Sequence, residues 1–115
     1  MAESISPQEL QLLLEEKRAI YLLDVRRNQD YEAAPKTIES AKWVDPEKTH
    51  QWINSIPAGQ DVVVYCVKGG SVSQSVADYL ITQKYQARFL QGGINAWTEM
   101  KMAQEDAEKP SGQLT

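Results

Sequence analysis

Val62-Val63-Val64-Tyr65 sets three β-branched side chains and an aromatic ring in succession. Neighbouring side chains of a strand point to opposite faces, so a run with no polar position is apolar on both sides. A strand of that kind belongs inside a sheet covered above and below, as parallel sheets are. Ile20-Tyr21-Leu22-Leu23 repeats the pattern. It is too short for a helix and suits a second strand buried on both faces.

Helical signals fill the intervals. Ser6-Pro7-Gln8-Glu9 opens a helix, with Ser6 as cap, proline in the first turn and Glu9 three residues after the cap. Leu10, Leu13 and Leu14 then share one face. From Arg27 to Ala34 a short helix or loop fits, anchored by Tyr31 and stopped at Pro35. Asp45-Pro46-Glu47 starts a helix through about Ile53, and Pro57-Ala58-Gly59-Gln60 is a turn. A helix is predicted from Val72 to about Gln83, with Ser71 and Gln74 as its capping box. A last amphipathic helix is predicted from Ile94 to Met102, carrying Ile94, Trp97 and Met100. Ala41-Lys42-Trp43-Val44 and Ala87-Arg88-Phe89-Leu90 read as short strands. Alternating strands and helices predict an α/β fold, a parallel sheet with helices on both faces.

The 115 residues suit one domain with its own core, and the 42% hydrophobic content is that of a globular chain. The domain is expected over 1–102. Residues 103–115 are expected to be a frayed polar tail. The net charge of −4, with scattered basic residues, argues against a nucleic-acid surface. No window is long and apolar enough to cross a bilayer, so no membrane partner is expected. Met1-Ala2-Glu3-Ser4 has neither a basic region nor an apolar run. One cysteine allows no intrachain disulfide, which fits a reducing compartment. The expectation is a soluble, cytoplasmic protein.

That cysteine, Cys66, directly follows the strongest strand and precedes the loop Val67-Lys68-Gly69-Gly70-Ser71. In open parallel sheets ligands bind beyond the carboxyl ends of the strands. The segment from Cys66 to Val72 joins strand to helix. If it curls into a cradle, the amides of Val67, Lys68, Gly69, Gly70, Ser71 and Val72 form a nest that favours an anion. Gly69 and Gly70 would permit the tight backbone, and Lys68 adds a positive charge at the rim. Against this stands the ordinary role of a lone cysteine after a buried strand, a small core hydrophobe. Local sequence leaves both readings open.

Longer matches tilt the balance. Leu22-Leu23-Asp24-Val25-Arg26, Asp30-Tyr31, Val63-Val64-Tyr65-Cys66-Val67-Lys68-Gly69, Ala77-Asp78-Tyr79-Leu80 and Leu90-Gln91-Gly92-Gly93-Ile94-Asn95-Ala96-Trp97 together resemble the single-domain rhodanese family, in order and spacing, over roughly Ile5 to Met100. The resemblance implies a rhodanese-like central five-stranded parallel sheet, with a very short fifth strand near Ile5. It also implies a sulfurtransferase. Cys66 would take a sulfane sulfur from a small anionic donor such as thiosulfate and pass it, as a persulfide, to cyanide or a thiol. A protein sulfur acceptor is a further candidate partner. No metal or organic cofactor is implied. By the same resemblance Asp24 sits near the catalytic loop as structural support. Arg26 is read as a rim residue facing the donor, with a simple Asp24–Arg26 pair as the alternative.

Two departures from the family pattern bear on function. Many family loops carry arginine five residues after the cysteine, where this chain has Ser71. Thr37-Ile38-Glu39-Ser40-Ala41 replaces a His-Ile-Pro-Gly-Ala segment. Related phosphatases and arsenate reductases place arginine six residues after the cysteine, and here that residue is Val72, which argues against phosphoryl transfer. A non-catalytic binding module or a dedicated persulfide carrier is the other alternative. Ser71 and Ser73 are weighed as hydrogen-bond partners of the persulfide or as helix caps; the two roles are compatible for Ser71, and the cap is favoured for Ser73. His50, the single histidine, is assigned no role and cannot alone make a metal site. Trp43, Trp52 and Trp97 are read as packing.

Overall fold

The computed structural model describes residues 2–108. Its elements follow the predicted alternation: β1 (Glu3–Ile5), α1 (Pro7–Glu15), β2 (Ile20–Asp24), α2 (Asn28–Ala33), β3 (Lys42–Trp43), α3 (Thr49–Trp52), β4 (Asp61–Tyr65), α4 (Ser71–Thr82), β5 (Gln86–Leu90) and α5 (Gly93–Glu108). The five strands form one sheet in the order β1-β5-β4-β2-β3, and every pairing is parallel. The short strand expected near Ile5 is β1, which pairs with β5 at the sheet's edge.

The Val-Val-Val-Tyr run forms the middle strand, and its alternation divides the core in two. Val62 and Val64 point into a cluster with Leu23, Val25, Ile53, Ile56 and the α4 residues Val76, Ala77 and Leu80. Val63 and Tyr65 point the other way, among Leu22, Ile5, Leu10 of α1 and Ile94 and Trp97 of α5. Helices therefore cover both faces. Each buried Val or Leu contributes about 1.5–3 kcal/mol, so the central strands anchor the fold from both sides.

Local signals hold at the first helix. The Glu9 amide donates to Ser6 Oγ at 3.1 Å, and Pro7 occupies the first turn. The predicted helix through Ile53 is instead a short 3-10 turn (Pro46–Lys48), the single turn of α3 and another 3-10 turn (Ile53–Ser55). One helical turn is marginal alone. Burial of Ile53 and Ile56 holds this one, with the Trp52 indole donating to Asp45 O at 2.8 Å.

Two further expectations are corrected. The Ser71–Gln74 capping box is not formed. Gly70 is the cap residue, so Ser71 already lies inside α4, and Gln74 Nε2 donates instead to Gly69 O at 2.9 Å. The tail does not begin at 103, because α5 continues to Glu108. Its extension is tied to α1 by a reciprocal amide pair: Gln11 Nε2 donates to Gln104 Oε1 at 2.8 Å, and Gln104 Nε2 to Gln11 Oε1 at 2.7 Å. Residues 109–115 of the expected tail lie outside the described residues. No helix among the described residues is long and apolar enough to cross a membrane.

Candidate active site

Parallel strands end together, and β4 ends at the middle of that edge. Cys66 is the next residue. It is buried, with 6% of its surface exposed. Its Sγ donates to Ser73 Oγ at 3.2 Å, and Ser73 is wholly buried. Ser73 is the third residue of α4, so this contact holds the sulfur against the helix's first turn. The first amides of a helix have no acceptor within it and carry the positive end of its dipole. The first α4 backbone bond above Gly70 is Gln74 N–H to Gly70 O, at 3.3 Å.

The loop is pinned from below by the β5–α5 turn. The Ile94 amide donates to Cys66 O at 2.9 Å, and the Asn95 amide to Val67 O at 3.1 Å. Gly69 has φ +73°, and a Cβ there would lie 2.7 Å from Gly92 N and 2.9 Å from Leu90 O. A side chain at that position would push the loop off the turn. Gly70, expected to share this burden, has negative φ and open space around it, so only Gly69 is sterically required. Around the loop, Val67 and Val72 are half-buried, while Lys68 and Ser71 are exposed.

Arg26 is not the rim residue expected. Only 2% of it is exposed, and its guanidinium is engaged by protein groups. Nε and Nη2 donate to the Asp24 carboxylate, with Nη2 at 2.7 Å from Oδ2, while Nη1 reaches Ala34 O at 2.8 Å and Nη2 reaches Lys36 O at 3.2 Å. Burial opposes the Arg26 charge, but the hydrogen bond and field of Asp24 outweigh it, and the guanidinium pKa is raised. The pair therefore ties the irregular 34–36 segment to the end of β2. Tyr65 extends the clamp by accepting the Ile38 amide at 3.0 Å. Above it Tyr31 stacks on Trp43 with centroids 4.8 Å apart, and the Trp43 indole donates to Arg26 O at 2.9 Å.

This clamped segment forms one wall of a groove of about 710 Å³. Ile38 lies on that wall, Ile94, Trp97 and Lys101 lie on the α5 wall, and Val67 of the loop after Cys66 also lines the groove. A smaller cleft of about 220 Å³ lies beside Ser71 and Val72 and is bounded by Arg27 and Glu47. His50 is exposed on α3. No cluster of three His, Cys, Asp or Glu side chains able to hold a metal occurs among the described residues.

From the sequence the capping role is favoured for Ser73 over a hydrogen bond to the sulfur, and the structure shows the contact with the sulfur. Only the docking of α4 against the end of β4 brings the two together.

A parallel five-stranded sheet with a buried cysteine where its central strand meets a helix defines a class of α/β domain. The rhodanese-like domain model matches residues 6–100, and the chain belongs to that family. It is similar in structure to a rhodanese-like domain protein from Staphylococcus aureus, with 28% identity over 83% of this chain and 90% of that one, at a TM-score of 0.73. A rhodanese-related protein from Thermoplasma volcanium shares the fold at 20% identity, over 85% and 92% of the two chains, with a TM-score of 0.73. A Rhodopseudomonas palustris protein of unknown function, described as a possible tyrosine phosphatase, shares the fold at 17% identity. That match covers 87% and 82% of the chains, with a TM-score of 0.74. No curated protein matches the chain.

Proposed function

We propose that the chain is a sulfurtransferase that moves a sulfane sulfur through a persulfide on Cys66. The carrying observation is the placement of Cys66 Sγ, at the carboxyl end of the central strand and 3.2 Å from a side chain in the first turn of α4. The thiolate attacks the sulfane sulfur of thiosulfate. A new S–S bond forms, the donor's S–S bond breaks, and the electron pair leaves with sulfite. Cyanide or a thiol then attacks the outer sulfur, and the electron pair of the broken bond returns to Cys66. Loop amides and the helix end stabilise the negative charge. No metal or cofactor enters these steps. A bulky thiol, or a cysteine of a partner protein, would approach along the groove that Val67 helps to line. A reducing, cytoplasmic setting belongs to the same reading, and the lone thiol is compatible with it. The test is thiocyanate production from thiosulfate and cyanide. Turnover by the wild type and none by Cys66→Ala supports the reading, and equal turnover by the two opposes it.

Exposed Ser71, which offers no guanidinium to an anionic donor, favours one second reading. In it the domain is a persulfide carrier charged by a partner, and it forms the adduct without turning over to cyanide. A phosphatase or arsenate-reductase activity has less support, because Val72 stands where that chemistry needs a cation and no arginine lies between Cys66 and Arg88.

A further inference from the structure

We propose that Ser73 is a catalytic residue whose single hydroxyl proton turns from the Gly70 carbonyl to the Cys66 sulfur whenever negative charge resides on Sγ. The reaction steps named below rest on the sulfurtransferase reading; the hydrogen-bond geometry does not.

Ser73 is fully buried, and its hydroxyl has one proton and two acceptor sites. It accepts from Cys66 Sγ at 3.2 Å and donates to Gly70 O at a long 3.5 Å. That arrangement suits the thiol. A thiolate has no proton to give and would face the serine's lone pairs, which is unfavourable. Rotation about the Cβ–Oγ bond resolves this, since the O–H then points at the sulfur. The exchange is favourable because a long neutral contact is given up for a charge-assisted one. Gly70 O keeps its bond from the Gln74 amide at 3.3 Å, so no carbonyl is orphaned.

Other side chains near the loop are placed differently. Lys68 and Ser71 are exposed, and Arg26 is committed to Asp24 and two backbone carbonyls. Among the described residues, Ser73 is the side chain hydrogen-bonded to the sulfur.

The same contact acts in both half-reactions. In the first, Ser73 holds Sγ as the attacking thiolate. In the persulfide the charge sits on the outer sulfur, and the hydroxyl returns to Gly70. In the second, the acceptor takes the outer sulfur, the electron pair of the S–S bond returns to Sγ, and Ser73 stabilises it as leaving group.

The experiment compares Ser73→Thr with Ser73→Val, which have nearly the same shape and differ in the hydroxyl. The readouts are alkylation of Cys66 by iodoacetamide at one neutral pH, persulfide formation from thiosulfate, and melting temperature. Ser73→Thr is expected to alkylate and load sulfur about tenfold or more faster than Ser73→Val, the loss expected for a hydrogen bond to a charged group. Their melting temperatures should be similar. Ser73→Ala, which adds no bulk, should be slow like the valine variant, and exposed Ser75→Ala should match wild type. Equal alkylation rates for the threonine and valine variants, or a wild-type rate for Ser73→Ala, would overturn the proposal. A wild-type protein that takes sulfur from no donor defeats the sulfurtransferase reading, while the alkylation contrast still decides Ser73.

Discussion

The amide of Ile94 donates to the carbonyl of Cys66 across 2.9 Å, so the residue carrying the sulfur is held by the first turn of a helix 28 positions further along the chain. Gly93 makes that approach possible. A Cβ at Gly93 would collide with the carbonyl oxygens of both Cys66 and Val67, and its φ is +61°.

Gly93→Ala is therefore expected to be more harmful than Gly59→Ala. Both positions have positive φ, and an L-residue there costs on the order of 1 kcal/mol. Gly59 has open space around it, whereas Gly93 also meets backbone. Urea denaturation should show a larger loss for Gly93→Ala, and Cys66 alkylation should change in that variant. Equal losses would mean that α5 does not clamp the loop.

The Asp24–Arg26 pair is wholly enclosed, which makes either half costly to remove. Asp24→Ala leaves a buried guanidinium without its counter-ion, and a loss of about 3–5 kcal/mol is expected. The double variant with Arg26→Met should lose much less than the sum of the singles. Additive losses would show that the two side chains act independently.

Tyr65 gives the chain an alkaline limit. Burial pushes its hydroxyl pKa well above the ordinary value, against the opposing pull of the Ile38 N–H bond. In the unfolded chain the phenol ionises near pH ~10. Its contribution is therefore fully present below about pH 10 and is lost as pH rises toward the folded value. Tyr65→Phe is expected to be less stable at neutral pH by about 1–3 kcal/mol, since the Ile38 amide loses its acceptor. It should also show a shallower fall in stability at alkaline pH. An unchanged alkaline slope would assign the fall to other groups.

Truncation after Met102 tests the length of α5. It removes Gln104 and with it two amide hydrogen bonds to Gln11, each worth roughly 0.5–1.5 kcal/mol. The truncated chain should melt measurably lower, and Gln104→Ala should reproduce part of the loss. A melting temperature unchanged by truncation would mean that residues 103–108 contribute nothing to the fold.

What was legible in the sequence was whatever rested on local pattern. The Val62–Tyr65 run announced a strand buried on both faces, and Ser6-Pro7 announced α1. Cys66 stood out because it adjoins the clearest strand. What was missed depends on contacts between distant parts of the chain. For Arg26 the pairing with Asp24 is one of two readings and is present, but the rim role is preferred from the sequence because its further partners at 34 and 36 are backbone carbonyls of an irregular segment, and no residue type marks them. Ser73 looked like a capping residue because serine near a helix start usually is one. Its contact with the sulfur exists only because α4 docks on the end of β4. Residues 103–108 looked like solvent-exposed tail because they are polar, yet Gln104 meets an amide on α1, 93 positions away.

A sulfurtransferase of this kind requires that Cys66 hold a sulfur atom. Intact-mass measurement after incubation with thiosulfate and with other sulfane donors tests it most directly. The expected result is one added sulfur on the wild type, removed by cyanide or a thiol and absent from Cys66→Ala. An unmodified wild-type mass with every donor, or the same adduct on Cys66→Ala, would contradict it.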